Sequence, residues 1–188
     1  MWPWGHAAVG YLLFSLYSRR RLGHRPTSVA TVLLGLGTQF PDMVDKPLAW
    51  TLSILPTGRS LAHSLLTALL VVGLALWVTR RYDRTEYAVA FGVGYLSHLA
   101  ADALYPVLNG EFVNLSYLVW PLLPLPVYDT DKSILAHFLA FEFEPFTLFE
   151  FGLVALALVV WWADDRPGMR TVLRPLTQWS TAERRNRN

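Results

Sequence analysis

The chain has 188 residues, 53% of them hydrophobic and 16% charged, with 8 Trp and 12 Pro, a balance that directs it to the membrane class. Its formal net charge of +2 does not call for nucleic acid, because the basic residues lie in loops and a tail beside apolar segments, where positive-inside placement accounts for them. With 0 Cys there is no disulfide framework and no thiolate site, so a metal here must be held by imidazole and carboxylate.

The start, Met1-Trp2-Pro3-Trp4-Gly5-His6, lacks a basic leader, so the first apolar segment is expected to be retained and not cleaved as a signal peptide. That segment, Ala7 to Ser18, is followed at once by Arg19, Arg20, Arg21 and Arg25, which predicts insertion with the start outside and the end in the cytoplasm. Thr27 to Phe40 returns and stops at Pro41. Both segments are short against a usual span of about 20 residues and imply tilt or burial in a bundle. Lys46 to Gly58 reads as an outer connection with Trp50 and Pro56 at the interface. Ser60 is the expected N-cap of the next crossing, Leu61 to Val78, which ends in Arg80, Arg81 and Arg84. His63 then falls in a first helical turn, where the helix dipole disfavours a charged imidazolium and predicts a neutral, metal-competent ring.

Tyr87 to Leu104 goes outward and carries His98 and Asp102 to its outer end, with Pro106 expected to stop it. Residues 109–146, rich in aromatics and prolines and carrying Asp129, Asp131, Lys132 and His137, are read as outer loops and half-inserted pieces that roof the site. Phe149 to Trp162 is the last crossing. The predicted fold is thus an all-α, polytopic transmembrane bundle over 1–163, with about five crossings plus interfacial or re-entrant segments. A basic polar tail, 164–188, follows on the cytoplasmic side of the plasma membrane. Charge supports this orientation: Arg19 to Arg25, Arg80 to Arg84 and every arginine from Arg166 onward fall inside, and only Lys46, Arg59 and Lys132 outside.

On that topology His6, Asp42, Asp45, Arg59, His63, His98 and Asp102 all gather at the extracytoplasmic end, although they come from separate segments. His98 and Asp102, four apart, share one helical face, and an ionisable pair in an apolar segment is costly without a task or a partner. The candidate metal ligands are His6, Asp42, His63, His98 and Asp102, a set suited to Zn²⁺ first and Mn²⁺ or Fe²⁺ next, holding one ion with an open position or two sharing a carboxylate. Asp42 or Asp45 would orient or deprotonate a water and Arg59 would clamp a phosphate oxygen. The competing reading makes Asp42 and Asp45 turn residues and the histidines interfacial polar groups, a staple with no chemistry.

The motifs Gly5-His6, Pro41-Asp42-Met43-Val44-Asp45, Arg59-Ser60-Leu61-Ala62-His63-Ser64 and Ser97-His98-Leu99-Ala100-Ala101-Asp102, in this order, resemble the LexA-binding, inner-membrane-associated family of metal-dependent hydrolases. The resemblance runs to about Pro106. It implies a polytopic membrane protein whose site is built from those seven residues. The chain departs from the family pattern in spacing its acidic pair as PDxxD where PDxD is common, which bears on Asp45 more than on Asp42. The HxxxD element is also similar to that of the zinc-dependent phospholipase C and P1-nuclease group, which points to phosphoesters. The function expected is membrane-embedded hydrolysis of a phosphoester or ester of a lipid-like substrate, with membrane lipids as partners and no nucleic acid.

Overall fold

The computed structural model describes residues 1–126, 139, 141, 143–169 and 171, and every regular element among them is helical. Helix α1 runs Pro3–Tyr17 and passes into a π-helical turn, Ser18–Leu22, that ends at Gly23 with φ 75°. Pro3 suits the first helical position because the N–H it lacks would find no partner there. The early start places His6 in the first turn. Helix α2, Ser28–Lys46, is capped by the Thr27 side chain and is followed by a second π-helical turn, Pro47–Thr51. Then come α3, Leu65–Arg80; α4, Thr85–Leu108; a 3-10 helix, Phe112–Val119; and α5, Pro145–Ala163.

Several sequence-based boundaries are corrected. Helix α2 does not stop at Pro41 but continues through it to Lys46, and α4 passes Pro106 to Leu108. A helical proline removes one backbone bond, and the extensive packing of α2 on α4, the largest interface in the bundle, holds both helices together across that gap. Asp42 and Asp45 are therefore helical neighbours and not turn residues. The third helix begins at Leu65, not Leu61, and its cap is Ser64, not Ser60, with the Ser64 hydroxyl accepting from Leu66 N at 3.2 Å. The chain before it is drawn out of helix by Asp45, as described below.

The expectation of about five crossings is not supported by helix length and apolarity. Among the described residues only α5 combines the length and the apolarity of a span, and α3 is apolar but shorter. Helix α1 has 15 residues, about 22 Å of rise against about 30 Å of hydrocarbon, α2 carries Asp42, Asp45 and Lys46 in its last turns, and α4 carries Glu86, His98 and Asp102. In α5 only 17% of the most apolar window is buried, so it is no core helix. Its Leu148, Leu156, Leu158, Val159 and Trp162 are all more than half exposed. His137, Asp129, Asp131 and Lys132 lie outside the described residues, as does the tail from 172 onward.

Close packing sets the bundle's geometry. At Gly37 and Gly94 the backbones of α2 and α4 touch: a methyl group on Gly37 would collide with the Phe91 carbonyl, and one on Gly94 with the Leu34 carbonyl. Tyr11, Phe14, Ala30, Leu34 and Ala90 fill one side of this seam, and Ala68, Tyr95 and Leu99 the other. At the end remote from His6, buried Asp164 ties α5 to α1 by accepting from Tyr11 Oη at 2.8 Å, Ser15 Oγ at 2.7 Å and Arg19 Nε at 2.9 Å. Asp165 pairs with Arg25 beside it.

Two tests follow from this packing. Gly37→Ala is expected to destabilise the protein by about 1–3 kcal/mol through overpacking. Gly35→Ala, where nothing lies within 4 Å of the added carbon, should be neutral or slightly stabilising, because Ala is the better helix former. Thermal unfolding in detergent measures both. Asp164→Ala strands two buried hydroxyls and should cost about 1–3 kcal/mol in the same assay.

Candidate metal centre

Asp45 is fully buried, and its carboxylate accepts the backbone N–H groups of Ser60 at 2.8 Å, Ala62 at 2.8 Å and His63 at 3.2 Å. These bonds wrap residues 60–63 around one charge and satisfy donors that would otherwise sit buried without partners. The same carboxylate accepts from His63 Nδ1 at 2.8 Å. Because a carboxylate only accepts, Nδ1 carries a proton, and in the neutral ring Nε2 presents its lone pair. His98, in the middle of α4, is oriented in the same way: its Nδ1 donates to the Thr38 carbonyl of α2 at 2.7 Å, which again leaves Nε2 as the lone-pair nitrogen.

The two Nε2 atoms face each other at 3.2 Å in a buried site. Asp42 Oδ1 lies 3.6 Å from His63 Nε2 and 4.0 Å from His98 Nε2. Asp102 Oδ2 lies 3.6 Å and 3.8 Å from the same two atoms. Four ligands around one tetrahedral zinc-sized ion at 2.0–2.2 Å would stand about 3.3–3.6 Å apart. Asp42, His63 and His98 thus offer three donors close enough to share one ion, and their chemistry suits it. Two opposed lone pairs, each with its ring proton committed elsewhere, require a proton or a cation between them.

Asp42, His63 and His98 form one group able to hold an ion, and His6, His98 and Asp102 form a second. The His6 ring stacks on that of His98 at 3.8 Å, and its Nε2 donates to the Met1 carbonyl at 3.1 Å and approaches Asp102 Oδ1 at 3.3 Å. His6 Nδ1 is buried with no partner among the described residues. Asp102 gathers three cations or donors: the Met1 ammonium at 3.1 Å on Oδ1, His6, and Arg59 Nε at 2.9 Å on Oδ2. Lys46 Nζ holds the second oxygen of Asp42 at 2.6 Å.

Contrary to the expectation of a neutral ring set by a helix dipole, the His63 pKa stands above its ordinary value. Burial opposes the charged imidazolium, but the carboxylates around the ring, Asp42, Asp45 with its hydrogen bond to Nδ1, and Asp102, outweigh it. His63 precedes α3 by two residues, so the carboxylates around it govern and the dipole does not.

The structure therefore brings His6, Asp42, His63, His98 and Asp102 to one cluster and sets Asp45 behind His63. Arg59 lies on the wall of a cavity of about 680 Å³ that also reaches Asp42, Asp102, Trp50, Tyr105 and Glu150. Sequence reasoning did not assign Lys46 or the Thr38 carbonyl. Lys46 was discoverable from its i+4 spacing to Asp42, whereas a backbone carbonyl carries no side-chain signature.

An all-helical bundle with an apolar exterior and a buried His/Asp cluster at one end defines a membrane protein with a candidate metal centre. Residues 1–169 match the family model of the YdjM inner membrane protein, and the chain belongs to that family. No curated protein and no solved structure matches it.

Asp45→Asn keeps every atom facing the ion position but weakens the anchor that orients His63. Such changes behind a ligand lower metal affinity by about 10–100-fold, and titration of the chelator-stripped protein with Zn²⁺ should show a loss of that order. Affinity equal to that of the unaltered protein would dismiss the anchoring role.

Proposed function

We propose that this chain is an integral-membrane, metal-dependent hydrolase acting on a phosphoester or ester of an amphiphilic substrate. The observation that supports it most is the pair of His63 and His98 Nε2 lone pairs, 3.2 Å apart and framed by Asp42 and Asp102. Zn²⁺ suits this thiol-free nitrogen and oxygen set best, with Mn²⁺ or Fe²⁺ as alternatives. Asp42, His63 and His98 would hold the ion, with Asp102 beside them, and it would supply Lewis acidity and the means to activate water.

The chain's own residues do the rest. Asp45 and the Thr38 carbonyl keep the two imidazoles aimed at one point. Lys46 neutralises the outer oxygen of Asp42 and leaves Oδ1 turned to the cluster. Asp45 is saturated by four hydrogen bonds and fully buried, so we assign it to positioning. Asp42 borders the cavity and is the carboxylate placed to orient a water or take its proton. Arg59, on the same wall, sets a guanidinium charge where negative charge would grow on a phosphoryl group.

The membrane arrangement that accompanies this reading sets the cluster at the extracytoplasmic end. The arginines after α1 and around the α3–α4 turn then lie on the cytoplasmic side. Helices shorter than the hydrocarbon would cross by local thinning of the bilayer and snorkelling of flanking residues.

A non-catalytic membrane protein, with the cluster as a structural metal site or a polar staple, is the alternative. It is favoured by the pairing of Arg59 with Asp102 and Lys46 with Asp42. Metal analysis of detergent-purified protein separates the two. The hydrolase reading expects bound transition metal that is lost in His98→Ala and Asp102→Ala. It also expects Arg59→Ala to keep the metal while turnover of phosphoesters falls by about 10²–10³. Metal-free protein whose only defect in His98→Ala is a lower unfolding temperature would establish the staple.

A further inference from the structure

The cavity beside the cluster is walled in part by two stretches, one after α2 and one running from the last turn of α4 into the 3-10 helix, and both have two faces. In the first, Ser53 and Pro56 line the cavity, while Leu52 and Ile54 do not and are 58% and 68% exposed. In the second, Pro106, Glu111 and Asn114 line it, while Leu108, Phe112 and Val113 are 65–76% exposed. Ser53 adopts φ 53°, a left-handed conformation unusual for a residue with a side chain, and sits between the two exposed apolar residues. Large apolar groups clustered around the rim of a polar cavity mark an interaction surface.

Part of the backbone of these stretches is hydrogen-bonded internally. Ile54 N donates to Leu48 O at 2.8 Å, Glu111 N to Pro106 O at 2.8 Å and Asn114 N to Glu111 O at 3.0 Å. Each such bond lowers the cost of placing the backbone beside lipid. The surface is also continuous in character with the outward face of α3, where Leu69 and Leu70 are 66% and 72% exposed in a chain of an inner-membrane family.

We propose that Leu52, Ile54, Leu108, Phe112 and Val113 form a collar that inserts into the headgroup and acyl boundary of the bilayer. The cavity then opens to the leaflet, and the substrate is a membrane lipid whose headgroup reaches Arg59 and Asp42 while its acyl chains stay among the collar residues. The insertion of the collar stands on exposure and backbone geometry alone, and the identity of the substrate rests on the hydrolase reading. Apolar residues on a polar scaffold immersed to this depth are the mark of an interfacial segment.

The chain has 0 Cys, so single cysteines can be introduced as probes in the full-length protein. Ile54→Cys and Phe112→Cys are labelled with bimane in vesicles of phosphatidylethanolamine and phosphatidylglycerol, with Asp83→Cys in the α3–α4 turn as the aqueous reference. At 54 and 112 doxyl-labelled lipid should quench the probe and iodide should not, and the reverse should hold at 83. Iodide quenching at 54 and 112 equal to that at 83, or protection from both quenchers, overturns the collar. In an activity arm, the double variant Ile54→Ser/Phe112→Ser should lose roughly tenfold or more in turnover of a long-chain phospholipid and retain turnover of a short-chain, water-soluble phosphoester. Equal turnover of the long-chain lipid by the variant and the unaltered protein overturns the route of entry. If the unaltered protein hydrolyses neither substrate, the hydrolase reading fails and the quenching result stands by itself.

Discussion

The candidate centre depends on one buried carboxylate. Asp45 takes three backbone N–H groups and one imidazole N–H, and in doing so it stops α3 from starting early, folds residues 60–63 into a tight wrap and aims His63 Nε2 at His98. A charge removed from water is tolerated when its lone pairs are filled by well-placed donors. Asp45 meets that condition with groups that the α3 approach must itself satisfy, so the carboxylate and the loop each remove the other's desolvation cost.

The second support is the contact between α2 and α4. With only hydrogen at Gly37 and Gly94, the two backbones approach closely enough for a carbonyl of one helix, that of Thr38, to reach an imidazole on the other. Larger residues there would widen the gap and release His98 from its tautomer. Close helix approach through small residues is a common device in membrane bundles, where apolar burial between helices adds little because lipid is equally apolar.

The cluster also balances its own charge. Asp42 and Asp102 each use one oxygen toward the two imidazoles and the other toward a cation, Lys46 for the first and the Met1 ammonium for the second, with Arg59 sharing the inner oxygen of Asp102. At the far end Asp164 meets Arg19 in a plain structural tie. The difference between the two ends lies in the lone pairs. Asp164 faces donors alone, whereas His63 and His98 face each other, an arrangement stable only with a positive charge between them.

The sequence by itself determined the all-helical class, the absence of sulfur from the donor set and the spacing of His98 and Asp102 on one helical face. Each follows from composition or from the period of the helix and needs no distant partner. The motifs around His6, Asp42, His63 and His98 were legible for the same reason, as polar residues in apolar surroundings. Only the tertiary structure decided what the acidic pair does: Asp42 and Asp45 sit on one helix three residues apart, yet one faces the cavity and the other supports a loop. It also carried the helices through Pro41 and Pro106, delayed α3 to Leu65 and, among the described residues, left one helix long and apolar enough to span where hydropathy suggested about five crossings. Those outcomes depend on contacts between residues far apart in the chain, chiefly Asp45 with 60–63 and Thr38 with His98, and a one-dimensional pattern holds no record of which distant backbone groups will meet.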